Sequence, residues 1–113
     1  MDPETSYDQV GDGWHDLVET FWKMVDILST RAYIDVVEVG HRMGMLNIKT
    51  KTDDAVVQDM LDRLAWSLER DSATICEVCG GKGFRRKSLP GSPNRCREHY
   101  LVLANEMAER GDI

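Results

Sequence analysis

The chain has 113 residues, 42% hydrophobic and 30% charged, with a formal net charge of −6 and three cysteines. Those are ordinary globular proportions for one small domain, which at this length buries about 65% of its unfolded surface and builds one modest core. No apolar run approaches about 18 residues, so no segment reads as a membrane span, and the acidic start Met1-Asp2-Pro3-Glu4-Thr5 lacks the basic end and apolar stretch of a secretory signal. A cytoplasmic location is expected, where reduced thiols favour metal over disulfide.

Residues 1–11 read as a flexible leader, polar and acidic, with Pro3 and Gly11. The body is expected over residues 12–72. Trp14, Leu17, Val18, Phe21, Met24, Val25 and Leu28 recur at the spacing of one helical face. Asp12 is the expected N-cap, and Asp16 and Glu19 suit the positive end of the helix dipole. Tyr33 to Val39 is rich in β-branched residues, and Met45 to Thr50 alternates with Leu46 and Ile48 on one face. With a turn between Gly40 and Gly44, the two runs predict a β-hairpin. Thr52-Asp53-Asp54 caps a second helix that runs to about Asp71. Its buried stripe is Val57, Met60, Leu61, Leu64 and Leu68, and Asp59, Asp62, Arg63, Glu69 and Arg70 occupy the wet side. A two-stranded sheet alone is marginal. Both helices packed across one face of the hairpin give an α+β layer. Trp14, Phe21 and Trp22 read as core at helical spacing. Trp22 and Trp66 fit their stripes less well and are candidate exposed aromatic contacts.

Residues 73–113 carry the strongest chemical signal. Cys76-Glu77-Val78-Cys79 is followed after sixteen residues by Cys96-Arg97-Glu98-His99, which uses every cysteine in the chain. Two short knuckles, each presenting two soft or borderline donors, are the spacing of a tetrahedral zinc site. Gly80, Gly81 and Gly83 let the backbone curl round the metal and aim N–H groups at the sulfurs. The intervening residues are almost all turn, and Asn94 is the expected N-cap of a third helix from Arg95 to about Arg110. In the first turn of that helix, Cys96 and His99 share a face. Tyr100, Leu103 and Met107 continue it. Four protein ligands leave no open position for water, so the zinc reads as structural. The His-x-Glu and Pro-Cys-x-x-Cys pieces of a zinc deaminase are absent. No phosphate-binding loop, nucleophile elbow, His-Glu-x-x-His or calcium-loop pattern occurs. His15 and His41 stand apart. The chain therefore reads as no enzyme, with no small-molecule substrate.

Charge is unevenly placed. Lys82, Arg85, Arg86, Lys87, Arg95 and Arg97 oppose only Glu77 and Glu98 over residues 75–100, which leaves +4 there and −10 on the rest of the chain. Such asymmetry marks either a solvated loop or an interaction surface.

Two resemblances follow from these motifs. Cys76-x-x-Cys79-x-Gly81-x-Gly83 resembles, letter for letter, the repeat of DnaJ-type chaperone zinc domains, which use it four times; here it occurs once. More of the chain, about residues 11–100, resembles a family of small uncharacterised proteins of bacteriophages, prophages and some bacteria. Gly13-Trp14, Met43-Gly44-Met45-Leu46, the Cys76-to-Gly83 knuckle and Cys96-x-x-His99 carry that resemblance, with Met45 where the family has glycine. It implies a zinc knuckle on a small α+β body in a bacterial host and brings no established activity. The leading expectation is a zinc-stabilised protein-binding module that modulates a host protein or complex. The alternative is a nucleic-acid binder using the basic arm 82–97, with Phe84 and Tyr100 available to stack on bases.

Overall fold

The computed structural model describes residues 1–113. Residues 1–11, expected as a flexible leader, instead open with helix α1 (Pro3–Asp8). The Asp2 carboxylate accepts from the Thr5 N–H at 2.8 Å, and Pro3 occupies the first helical position, where a missing N–H leaves no gap. Ser6 is fully buried. It donates to the Pro3 carbonyl at 2.6 Å and accepts from the Trp22 indole at 2.7 Å. Tyr7 also packs against the core and edge-on against His15; with one polar and one aromatic residue docking it, so short a helix shows no apolar periodicity in the sequence.

A single 3-10 turn (Asp12–Trp14) leads into α2 (His15–Leu28). Asp12 therefore does not cap α2. The Gly13 N–H is committed to the Glu77 carbonyl at 2.9 Å, and the buried Trp14 indole donates to the Ile75 carbonyl at 2.8 Å. Both bonds tie the start of the body to the edge of the knuckle. Val18, Phe21, Val25 and Leu28 of α2 are buried, as the stripe predicts.

Strands β1 (Asp35–Arg42) and β2 (Met45–Lys51) form the antiparallel hairpin. Its two-residue turn is Met43-Gly44, with φ of 51° and 80°, the left-handed pair that a right-twisted hairpin favours. The register slips between Val36 and Glu38. Val37 is left 53% exposed, while Val36 and Val39 both reach the core. One extra residue at a bulge thus rescues the face that strict alternation would have lost.

Helix α3 (Ala55–Ser72) is capped as expected: the Asp54 carboxylate accepts from the Val56 and Val57 N–H groups, both at 3.0 Å. It also covers the outer edge of β2. The Leu46 N–H donates to Ser72 Oγ and the Ile48 N–H to Glu69 Oε2, both at 2.8 Å, and the Gln58 amide reaches the Thr50 carbonyl at 3.3 Å. Side chains of a helix here satisfy groups that would otherwise invite another strand. Val57, Leu61, Ala65 and Leu68 complete a core of 14 residues shared with α2 and the hairpin. Met60 departs from the expected stripe and is 42% exposed.

The remainder is an arm. Two-residue strands β3 (Phe84–Arg85) and β4 (Asn94–Arg95) pair antiparallel, and α4 (Arg97–Arg110) follows. The third helix starts later than expected, because Asn94 and Arg95 are strand residues. Helix α4 buries no residue, and the molecule extends 51 × 23 × 20 Å. Its radius of gyration, 15.6 Å, exceeds the about 13 Å of a compact domain of this length.

Candidate metal centre

The four expected ligands converge. One donor atom each from Cys76, Cys79, Cys96 and His99 lies within 4.8 Å of the others. Cys76 Sγ to His99 Nδ1 is 3.7 Å, Cys79 Sγ to Cys96 Sγ is 4.0 Å, and Cys96 Sγ to His99 Nδ1 is 3.1 Å. A tetrahedron with metal–sulfur bonds of about 2.3 Å has sulfur–sulfur edges of about 3.8 Å. The donor set therefore fits a borderline dication, and the imidazole presents Nδ1 to it.

Backbone geometry places each ligand. The first knuckle is turned by Gly80 N–H to Cys76 carbonyl at 2.9 Å and Cys76 N–H to Gly81 carbonyl at 2.8 Å. The Gly81 N–H donates to Cys79 Sγ at 3.4 Å, as the glycine run predicts. The second pair is arranged differently from expectation. Cys96 is not inside the helix but is its N-cap, with Sγ accepting from the His99 N–H at 3.5 Å. Cys96 Sγ thus sits at the positive end of α4 and is placed to serve as a ligand.

The thiols are unequal. Burial raises Cys76, but N–H groups of Cys96, Cys79 and Val78 outweigh it and bring this thiol down to about 6. At Cys79 the Gly81 N–H lowers the value, while burial and the neighbouring Cys76 and Cys96 sulfurs prevail and raise it. A first thiolate is welcome in this cluster and a second is not. A dication removes that conflict, since it meets three sulfurs with two positive charges.

The expected cations are scattered by role rather than gathered. Arg95 is half-buried and donates to Glu77 Oε1 at 2.9 Å, so its charge is spent within the arm. Arg85 turns inward, with its Nε buried and unpartnered. Arg86 Nε donates to the Arg95 carbonyl at 3.1 Å, and its guanidinium lies 4.6 Å over the Tyr100 ring. Lys82, Lys87 and Arg97 are exposed. Of the two tryptophans, Trp22 is half-buried against the core through Ser6, whereas Trp66 is 61% exposed beneath the Arg70 guanidinium.

Sequence reasoning missed the residue that joins arm to body. Asn94, expected as a helix cap, is fully buried. Its amide donates to the carbonyls of Gly44, Ser72 and Ala73 at 3.3, 3.3 and 2.7 Å. One side chain thus fastens the hairpin turn and the end of α3 to β4. Gly44 permits this approach, because a Cβ there would collide with the Ser92 carbonyl, and its φ is +80°. The only local signal was an asparagine two residues before a ligand, which is also what a helix cap looks like. The chain matches no protein-family model, no curated protein and no solved structure with which it was compared.

Proposed function

We propose that the protein is a non-enzymatic binding module, held together by structural zinc, that engages a protein partner through α4. The observation that carries this is a 14-residue helix with no buried residue. Leu101 and Val102 are 48% and 51% exposed, and Leu103 and Met107 are only half-covered. An isolated helix of this length is marginal in water. Within the chain it is held at one end by the Cys96 cap and the metal, and it makes no substantial contact with the body helices or the hairpin. Leu103 and Met107, four apart, share one side of the helix, while Leu101 and Val102 lie round from it, so apolar surface is displayed on more than one side for a partner to cover. Phage-type origin and a host protein as target are part of this proposal, and the motif set that resembles the phage family supports them.

The non-enzymatic part rests on chemistry. All four metal positions are filled by side chains, which leaves none for a water nucleophile. The largest groove, about 710 Å³, lies beside Arg31, Tyr33, Asp35 and Lys51 and holds neither cysteine nor histidine.

Affinity capture from bacterial lysate, read by mass spectrometry, tests the reading with a paired variant. Leu101→Ser combined with Leu103→Ser removes apolar surface from α4 at an expected cost in stability of about 1 kcal/mol, about 0.5 for each change. A protein held by the wild type and lost by the variant is expected. Capture that is absent, or indifferent to the variant, overturns the assignment.

A further inference from the structure

A second surface lies on the arm, and its chemistry differs from that of α4. We propose that the outer face of the β3–β4 ribbon binds single-stranded nucleic acid, with Phe84 as a base-stacking platform and Lys82 and Arg86 as its flanking phosphate partners.

The register builds this face. Phe84 pairs with Arg95, and Arg85 with Asn94. Successive strand side chains point to opposite sides. Gly83 and Asn94 are buried and Arg85 is half-buried with its Nε enclosed, so that side faces the body. Lys82, Phe84 and Arg86 stand on the other side. Lys82 Nζ and the Arg86 guanidinium each lie over the Phe84 ring, 5.5 Å from its centre, so a base that stacks on Phe84 displaces one of them, and the exposed Lys82 is the one that turns from the ring to a phosphate. Arg86 is also held by the Arg95 carbonyl and the Tyr100 ring, so its charge is in place before any ligand arrives. Phe84 itself is 52% exposed and outside the core.

Charge selects the occupant. Residues 75–100 carry +4 within a chain of −6. Lys82, Lys87 and Arg97 are exposed, whereas Arg95 is neutralised by Glu77. A polyanion answers the cations, and one bearing flat π faces also answers Phe84. An acidic peptide answers only the charge. In a duplex both faces of each base are already stacked, so an unpaired base is the fit. The acidic body repels a long polyanion, which confines contact to about three phosphates on the arm.

The test uses the full chain carrying its metal and a fluorescent oligothymidylate of about 12 nucleotides, titrated from about 50 to about 200 mM salt. Log affinity is expected to fall against log salt with a slope of about −2. Phe84→Ala is expected to weaken binding at least about fivefold at every salt without changing the slope, and Phe84→Trp to restore it. Lys82→Gln is expected to make the slope shallower by about 0.7. Leu103→Ser on α4 is expected to change neither, which separates this site from the protein-binding reading. Metal content and circular dichroism of each variant establish that the arm is intact. No binding of the oligonucleotide, equal affinity for Phe84→Ala, or equal affinity for the duplex or a polyglutamate of matched charge would each overturn the assignment.

Discussion

The body and the arm are held together in different ways. The body gathers 14 apolar residues from the segment Val10–Leu28, the hairpin and α3 into one core. In the arm, Leu89 is the one large aliphatic side chain that is buried; its other enclosed residues are Cys76, Gly83, Ser92 and Asn94. A segment of this size cannot bury enough apolar surface to offset its chain entropy. In its place the arm has four side chains that could hold a metal ion and a few hydrogen bonds to the body. The two regions also differ in charge, +4 over residues 75–100 against −10 on the rest of the chain, while both display an exposed aromatic, Phe84 on the arm and Trp66 on the body.

Metal removal probes that contrast most strongly. Comparable structural zinc sites contribute an apparent ~10–16 kcal/mol to folding. One zinc per chain is expected by elemental analysis. Chelation is expected to abolish hydrogen-exchange protection from Cys76 to Arg110 while Val39, Leu61 and their neighbours stay protected. An arm equally protected without metal would break the comparison.

The reciprocal change lies in the body. Phe21 is fully buried, and Phe21→Ala is expected to cost about 3–5 kcal/mol in urea unfolding. Metal stoichiometry in the folded fraction should be unchanged. Between the two regions stands Asn94. Asn94→Ala removes the side-chain donor from the Gly44 and Ala73 carbonyls, while the Ser72 carbonyl keeps the Ile75 N–H, and an expected loss of about 1–3 kcal/mol follows. The sharper readout is local: amides around Gly44 and Ala73 should lose protection while the metal stays bound.

The smallest expected effect is that of pH on the body's cap. The Val57 N–H, ahead of the opposing cost of burial, holds the Asp54 carboxyl below its ordinary value of 3.8, with Arg31 assisting. The native state thus binds this proton more weakly than the unfolded chain does. The cap's contribution is complete above the ordinary carboxyl value and is lost as pH falls through the lower native one. Asp54→Asn keeps a capping oxygen and is expected to flatten that acidic limb of the stability curve; an unchanged limb would remove Asp54 from it.

Much of this was legible in local pattern. The α2 stripe, the hairpin and the Asp54 cap all rest on interactions within a few residues or on a repeating spacing, which a linear reading can see. The ligand set is legible for the same reason, since zinc requires few residue types at short intervals. The folded leader, the late start of α4 and the exposure of Met60 were not. The first two depend on a partner far along the chain: Trp22 for Ser6, and Gly44, Ser72 and Ala73 for Asn94.

Sequence alone determined the α+β order of the body and which four side chains can share a metal, because periodicity and donor chemistry are properties of neighbours. Only the tertiary structure decided that Arg95 is paired with Glu77 and Arg86 held over Tyr100, that Phe84 is half-exposed with two cations over its ring, and that α4 buries no residue. Those outcomes follow from which groups are brought together across long stretches of chain, and burial and pairing at that range are settled by packing.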